Sequence, residues 1–96
     1  MSRFTHQIAE DEYIAYGLDR ALGYFADVFV KFIDDDGLVT EEITKSVTGR
    51  SKVIDLFTEL DLLGKINKWH INSICMDVPL ASSRSEYDQM LRKVLG

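Results

Sequence analysis

The sequence is poor in the residues that cross-link chains and bind metals. Among 96 residues there is one cysteine, Cys75, and there are two histidines, His6 and His70. A single cysteine cannot form a disulfide within its chain, and a structural zinc site needs about four cysteine or histidine ligands. We therefore predict a protein of the reducing cytoplasm, without cofactor or metal, in which Cys75 is a small buried residue.

Long apolar runs and a signal peptide are also missing. No stretch approaches the roughly 18 apolar residues that cross a membrane, and the N-terminus becomes acidic at Glu10 without an apolar segment before it. Apolar residues make up 46% of the chain and charged residues 28%, as is typical of a soluble globular protein. We predict no contact with membranes and one domain, 1–96, of which residues 1–10 form a mobile terminus.

Basic charge is scarce in the first half of the chain. Residues 1–42 contain ten acidic and three basic residues, a net charge of −7, whereas residues 43–96 carry +2. Direct binding of nucleic acid would need a concentrated basic face, which this sequence does not supply. The uneven charge is compatible with self-association that brings acidic and basic parts together.

The clearest predicted structure is a β-hairpin. In residues 24–33, YFADVFVKFI, one alternating set is entirely apolar and the other is mixed, as in a strand buried on one side. Residues 38–44 alternate in the same way and are predicted to form the second strand. The intervening Asp36-Gly37 pair is typical of a tight turn.

The segment before the hairpin fits two structures. In residues 12–23, EYIAYGLDRALG, the apolar spacing fits a helix, but Gly17 would lie inside it. We favour a strand over 13–18 followed by a DRALG turn. Residues 16–25, YGLDRALGYF, resemble a Y-G-x-D-x-A-x-G-Y-F segment of small uncharacterised prokaryotic proteins. This resemblance implies no particular activity.

Helices are predicted in the second half. Ser51 is expected to cap a helix that runs to Leu63, with Gly64 as its stop. Ser83 and Glu86 have capping-box spacing for a helix over 84–95. Residues 67–80 fit a helix or a strand, and we favour a short helix. The predicted fold class is α+β, an antiparallel meander of two or three strands with two or three helices packed on one side.

The acidic loop KFIDDDGLVTEE, residues 31–42, raises the question of cation binding. With Gly37 at the glycine position of an EF-hand loop, Phe32 and Ile43 occupy the two end-ligand positions, which excludes that motif. A looser cation site formed by Asp34, Asp36 and Glu41 is an alternative. We favour a solvated turn, since aspartate and glycine tolerate the backbone geometry of turns.

Catalytic patterns are weak. A Cys75–His70 nucleophile pair would need the two side chains to converge, and their spacing on a helix does not place them together. A small-molecule binding module or enzyme would need a pocket where tyrosines meet Asp19 or Arg20. Because basic residues are not interleaved with the aromatic ones, a base-stacking platform is not expected. We predict that the protein is not an enzyme.

The remaining features favour an interaction protein that forms a homodimer and binds a protein partner. Strand 24–33 is apolar on nearly both faces, more than a chain of this length can cover, so Phe25, Phe29 and Ile33 are predicted to lie in a self-association surface. An alternative is an acidic inhibitor that imitates nucleic acid and binds a basic groove. In either case the predicted partner surface consists of five acidic residues of the hairpin: Asp34, Asp35, Asp36, Glu41 and Glu42.

Overall fold

A computed structural model describes the backbone of residues 2–95 and the side chains of residues 2–94. Four strands come first and three helices follow. The α+β class is confirmed, but the sheet has four strands where two or three were predicted. The elements are β1 (Ser2–Ala9), β2 (Glu12–Asp19), β3 (Gly23–Ile33), β4 (Val39–Thr48), α1 (Arg50–Glu59), α2 (Lys68–Cys75) and α3 (Arg84–Leu95).

The strands form one antiparallel meander in the order β1-β2-β3-β4. The hairpin of β3 and β4 is confirmed and extends to Thr48. The favoured strand interpretation of the preceding segment is also confirmed, as β2, and it ends in a turn where the Asp19 carboxylate accepts the N–H groups of Ala21 and Leu22. Gly23 starts β3 with a φ of 81°, which glycine adopts without strain.

Strand β1 was not predicted. Residues 1–10 were expected to be mobile, yet Ser2–Ala9 pair with β2 along their length, and only Met1 of the expected terminus lies outside the described residues. The side chains of β1 alternate between half-buried and exposed positions, with Phe4 and Ile8 packed on the core. The alternation is visible in SRFTHQIA, but its apolar side includes Ser2 and His6, which weakens the signal.

The helices cover one side of the sheet, which we call the covered side; the opposite side is the open side. The core lies between them and joins β2 and β3 to α1 and α2. It includes Ile14, Tyr16, Ala26, Val28 and Phe57. Strand periodicity places alternate residues of β3, from Tyr24 onward, on the covered side.

Helix α1 is shorter than predicted at its C-terminus. It begins at Arg50, after Gly49, and no side chain caps it, so Ser51 lies inside the first turn and is not the N-cap. The helix ends before Gly64 because Asp61 adopts a φ of 56°. The Leu62 N–H then bonds to the Phe57 carbonyl, which buries Leu62 and closes the helix.

The prediction of a short helix after residue 67 is confirmed by α2, whose N-terminus is capped by the Asn67 side chain. Cys75 is exposed at its last position, so its interpretation as a buried residue was wrong. Ser83 caps α3 as predicted, while the Glu86 carboxylate reaches one residue further and accepts the Ser82 N–H. No described side chain of α3 is fully buried.

The helices cover only part of the sheet. The chain measures 56 × 28 × 21 Å and its radius of gyration is 14.9 Å, against about 12.5 Å expected for a compact domain of this length. Between residues 31 and 46 every residue except Asp34 and Thr40 is exposed. The end of the β3–β4 hairpin therefore projects from the body of the domain. Within residues 2–95, the helices fall short of the length and apolarity that a membrane crossing requires.

Candidate functional site

The projecting hairpin carries a group of exposed large apolar side chains. Their exposed fractions are 45% for Phe32, 73% for Ile33, 63% for Leu38, 68% for Val39 and 53% for Ile43. We call these five residues the hairpin surface. Single exposed apolar residues are ordinary, but a contiguous group is typical of an interaction site.

Cross-strand pairing places Ile33, Val39 and Ile43 on the open side, whereas Phe32, which pairs with Thr40, lies on the covered side. Ile33 pairs with Val39, and Ile43 pairs with Phe29, with the Lys31–Glu41 pair between them. Directly paired side chains lie about 5 Å apart. The open side of the hairpin therefore carries two apolar pairs, separated by one charged pair, between the tip and the half-buried Phe29.

The three residues predicted to mediate self-association share this open side. Ile33 belongs to the hairpin surface and Phe29 adjoins it, whereas Phe25 lies about 13 Å further along the strand, beside Asp27 and Leu22. Phe32, Leu38, Val39 and Ile43 were missed. A signal existed in the lengths: α1 has 10 residues and spans about 15 Å, while β3 has 11 residues and spans about 36 Å, so one helix cannot cover the strand.

The five predicted acidic residues lie on the same hairpin but point in different directions. Asp34, Asp35 and Asp36 form the turn, Glu41 lies on the open side opposite Lys31, and Glu42 lies on the covered side opposite Val30. Within the described residues no group of three acidic, histidine or cysteine side chains is arranged to hold a metal ion. Asp34, Asp36 and Glu41 are thus not brought together as a cation site.

Asp34 has a structural role in the turn. Its carboxylate accepts the N–H groups of Asp36 and Leu38, both at 2.9 Å, while the Asp34 N–H donates to the Leu38 carbonyl. Gly37 has a φ of 80° within the same turn. The turn interpretation of the acidic loop accounts for this geometry.

We expect Asp34→Ala to lower the free energy of unfolding by about 1 kcal/mol, because two backbone N–H groups lose a charged acceptor. Asp34→Asn keeps one side-chain oxygen and should have a smaller effect. Asp35→Ala is the matched control, since no side-chain bond of Asp35 supports the turn. Urea denaturation of the three variants measures the difference, and equal effects of the two alanine substitutions would contradict this role.

A polar cluster borders the hairpin surface on the open side. The Tyr13 and Phe29 rings stack at 5.0 Å, Lys31 Nζ lies 5.3 Å from the Tyr13 ring centre, and the Tyr13 hydroxyl donates to Glu41 at 3.0 Å. Desolvation and the Glu41 carboxylate raise the pKa of Tyr13. Arg3 and Lys31 line a shallow cavity of 260 Å³ with Tyr13. The fold thus brings Arg3 and Lys31 beside an aromatic pair, although basic and aromatic residues are not interleaved in the sequence.

A second polar cluster is buried between the sheet and α2. The Tyr16 hydroxyl lies 2.7 Å from His70 Nδ1, and His70 Nε2 lies 2.9 Å from the Ser82 hydroxyl. Nearby, the Tyr24 hydroxyl donates to the Val78 carbonyl at 2.6 Å. Burial raises the pKa of both Tyr16 and Tyr24 to about 12, so both remain protonated. Two sheet tyrosines thus anchor the segment that contains α2.

The order Ser82, His70, Tyr16 resembles a nucleophile, a base and a residue that orients the base. The surroundings favour a structural role instead. The Glu86 carboxylate accepts the Ser82 N–H at 2.8 Å, which puts negative charge where an acyl-transfer reaction would develop an oxyanion. The surface cavities of 240–440 Å³ are lined by other residues. The cluster ties the segment after α2 to the sheet.

Stability should depend on pH through His70. Burial lowers the pKa of His70 below 6.5, and the negative charge of the Glu86 carboxylate opposes this effect. Below pH 6.5 the unfolded chain therefore binds more protons than the native protein, and the free energy of unfolding falls as the pH decreases toward the native pKa. His70→Gln should flatten the pH dependence in this window, whereas His6→Gln leaves the buried imidazole in place. Parallel curves for wild type and His70→Gln would refute the assignment.

Asp19 and Arg20 do not meet the tyrosines in a common pocket. Asp19 lines a cavity with Phe25 and Leu22, and Arg20 lines another with Pro79 and Leu80. The arrangement that a small-molecule site was expected to show is therefore not formed by these residues. Cys75 and His70 also differ in their surroundings, since the Cys75 thiol is exposed and the His70 imidazole is buried.

Comparisons with known proteins add no relative from which a role could be transferred. No protein-family model matches the chain, and neither a curated protein nor a solved structure shows significant similarity to it.

Proposed function

We propose that this chain is a non-catalytic interaction protein that associates with itself, and with a protein partner, through the hairpin surface. The observation that carries the proposal is the exposure of five large apolar side chains at the end of the β3–β4 hairpin, beyond the part that the helices cover. In a protein of this size their exposure to water is unfavourable unless another surface buries them.

The composition of the surface supports a specific contact. Its apolar residues are combined with charged ones: Asp35 and Asp36 lie at the tip, and the Lys31–Glu41 pair lies between the two apolar pairs. Protein–protein interfaces combine apolar with polar contacts, and the charges select among partners.

Sedimentation velocity over a wide concentration range tests the proposal. We expect wild type to shift from monomer to dimer between about 1 μM and 1 mM, the range of weak to moderate association. Ile33→Ser combined with Val39→Ser removes a cross-strand apolar pair and should weaken association at least tenfold. Leu22→Ser combined with Met76→Ser is the matched control, because these residues are 65% and 52% exposed but lie outside the hairpin.

Two results would contradict the proposal. One is a wild-type protein that stays monomeric over the whole range. The other is equal weakening by the hairpin variant and by the control variant, which would place the contact elsewhere.

A second candidate function is inhibition of a basic-grooved protein by imitation of nucleic acid. The projection of all five hairpin acids beyond the helices favours it. The dispersal of Glu41 and Glu42 to opposite sides is less favourable, since a phosphate-like array needs carboxylates on one face. Binding of this kind would be abolished by high salt and by the double substitution Asp35→Asn, Asp36→Asn. It would survive the double substitution Ile33→Ser, Val39→Ser.

A further inference from the structure

Within residues 2–95, strand β4 is an edge of the sheet, because its one strand neighbour there is β3. Eight of its ten residues are exposed. An edge strand presents unpaired backbone N–H and C=O groups along one side, and these can pair with another strand. We propose that β4 pairs antiparallel with β4 of a second copy around a two-fold axis, which joins two four-stranded sheets into one. This inference rests on the proposed self-association and specifies its geometry.

The arrangement of side chains along β4 selects a register. Lys45 pairs with Val28 and Glu42 pairs with Val30, so both lie on the covered side, although three positions separate them. A β-bulge at Thr44 makes this possible: Val28 pairs with Lys45 and Phe29 pairs with Ile43, so Thr44 is an extra residue between them. Residues that pair across antiparallel strands must share a side of the sheet. Placing Glu42 opposite Lys45 of the second copy satisfies this condition for every pair outside the bulge, where Ile43 lies opposite Thr44.

Charge favours the same register. The two-fold axis creates the Glu42–Lys45 pair twice, and opposite charges across a strand pair are stabilising. Shifted registers that match sides over shorter lengths either place Glu41 or Glu42 opposite its own copy, which is unfavourable, or pair only a few residues at one end of β4. A register with Glu42 opposite Val47 leaves the charges unpaired. Charges and bulges often keep an edge strand from pairing at all, and here they admit one arrangement.

The other edge of the sheet is a poorer candidate. Among the described residues, β1 contributes none of the exposed large apolar side chains, whereas Val39 and Ile43 belong to both β4 and the hairpin surface. In the proposed register Ile43 lies near the two-fold axis and Val39 lies opposite Thr48 of the second copy, so pairing at β4 covers these two residues of the hairpin surface and adds an apolar contribution to the backbone contact.

Lys45 is positioned to bridge two acids in this dimer. Its ammonium lies 2.5 Å from the Glu59 carboxylate on α1, and the two side chains are 45% and 61% exposed. Beside them is an open groove of 360 Å³, whose charged lining residues are Lys45, Lys52, Asp55 and Glu59. The Glu42 carboxylate of the second copy would enter at this position.

A charge exchange tests the register. Each variant is made in a Glu59→Gln background, so that loss of the Lys45–Glu59 pair does not contribute. We expect Glu42→Lys and Lys45→Glu each to raise the dimer dissociation constant at least tenfold, and the combined exchange to restore it to within about threefold of the background value. Glu10→Lys and Lys65→Glu change the net charge equally but lie outside β4, and should have little effect.

Disulfide trapping provides a test that does not depend on charge. In a Cys75→Ser background, Glu41→Cys and Ser46→Cys are made as separate proteins and oxidised alone or as a mixture. The register places residue 41 about 5 Å from residue 46 of the second copy, and roughly 15 Å from residue 41. A disulfide needs Cα atoms closer than about 7 Å, so only the mixture should cross-link efficiently.

The outcomes separate this inference from the proposed function. Wild type can dimerise while the charge exchange fails to restore binding and each cysteine variant cross-links with itself as well as with the other. In that case the β4 register is wrong, whereas association through the hairpin surface is not contradicted. If wild type is monomeric at all concentrations, both proposals fail. Restoration by the exchange together with cross-linking confined to the mixture supports both.

Discussion

Phe57→Ala is expected to lower the free energy of unfolding by about 3–5 kcal/mol. Phe57 is fully buried on α1, and the Tyr16 ring meets it edge-on at 5.4 Å. The Phe57 carbonyl also accepts the Leu62 N–H that closes the helix, so a cavity here adjoins the segment that turns toward α2. Since a domain of this length has a total stability of about 5–14 kcal/mol, the loss is a large fraction of it.

Phe32→Ala is the matched control, because it removes the same atoms at a position that is 45% exposed on the hairpin. Its effect on the monomer should stay below about 1 kcal/mol. Urea denaturation of dilute protein measures both variants. Similar losses of stability would mean that the hairpin end is packed like the core, which would contradict the account of the fold and of the exposed surface together.

Gly17→Ala is expected to displace β1 and to lower the free energy of unfolding by about 1–3 kcal/mol or more. Gly17 lies in β2 opposite Arg3, and a Cβ atom built on it would lie 1.9 Å from the Ser2 carbonyl oxygen and 2.8 Å from its carbon. These are backbone atoms, so no change of side-chain rotamer relieves the clash. The start of β1 must move away from β2.

Gly64→Ala provides the comparison, since a methyl group there meets nothing within 4 Å. That substitution should be neutral or stabilising by up to about 1 kcal/mol, because it restricts the unfolded chain. Amide hydrogen exchange adds a local readout: Gly17→Ala should reduce protection in β1 while leaving β3 protected. Unchanged protection and stability would show that β1 does not approach β2 as closely as described.

Local signals predicted part of the fold well. The β3–β4 hairpin follows from its alternation and its Asp-Gly turn, and the end of β2 follows from the DRALG turn. The helix over 84–95 follows from its capping residues and apolar spacing, and the helix over 68–75 is compatible with apolar spacing that also fitted a strand. These features depend on residues close in sequence, which is why they could be read from it.

The rest depended on tertiary contacts. The interpretation of residues 1–10 failed because β1 is stabilised by pairing with β2 and not by its own pattern. Helix α1 ends early because Asp61, a residue without glycine's freedom, adopts a positive φ that buries Leu62. Phe25, Phe29 and Ile33 were predicted from the sequence as a self-association surface, and the strand pairing shows that they share the open side of β3. The residues of β4 on the same side could be identified only from the pairing register.

The same reasoning explains why the apolar face of β3 was overestimated as core. Tyr24, Ala26 and Val28 are buried, whereas Val30 is half-buried and Phe32 is exposed, although all five share the covered side. Periodicity identifies a side of a strand but not how far the covering helices extend along it. The uncovered remainder is the surface to which we assign function.

The most direct test of that assignment is the amide NMR spectrum of ¹⁵N-labelled protein on dilution from a concentrated to a dilute sample. The account predicts concentration-dependent shifts that cluster in residues 29–48, with the largest changes in β4, and little change in α2. An unchanged spectrum over the whole range, or changes centred on α3 or β1, would contradict self-association through the hairpin.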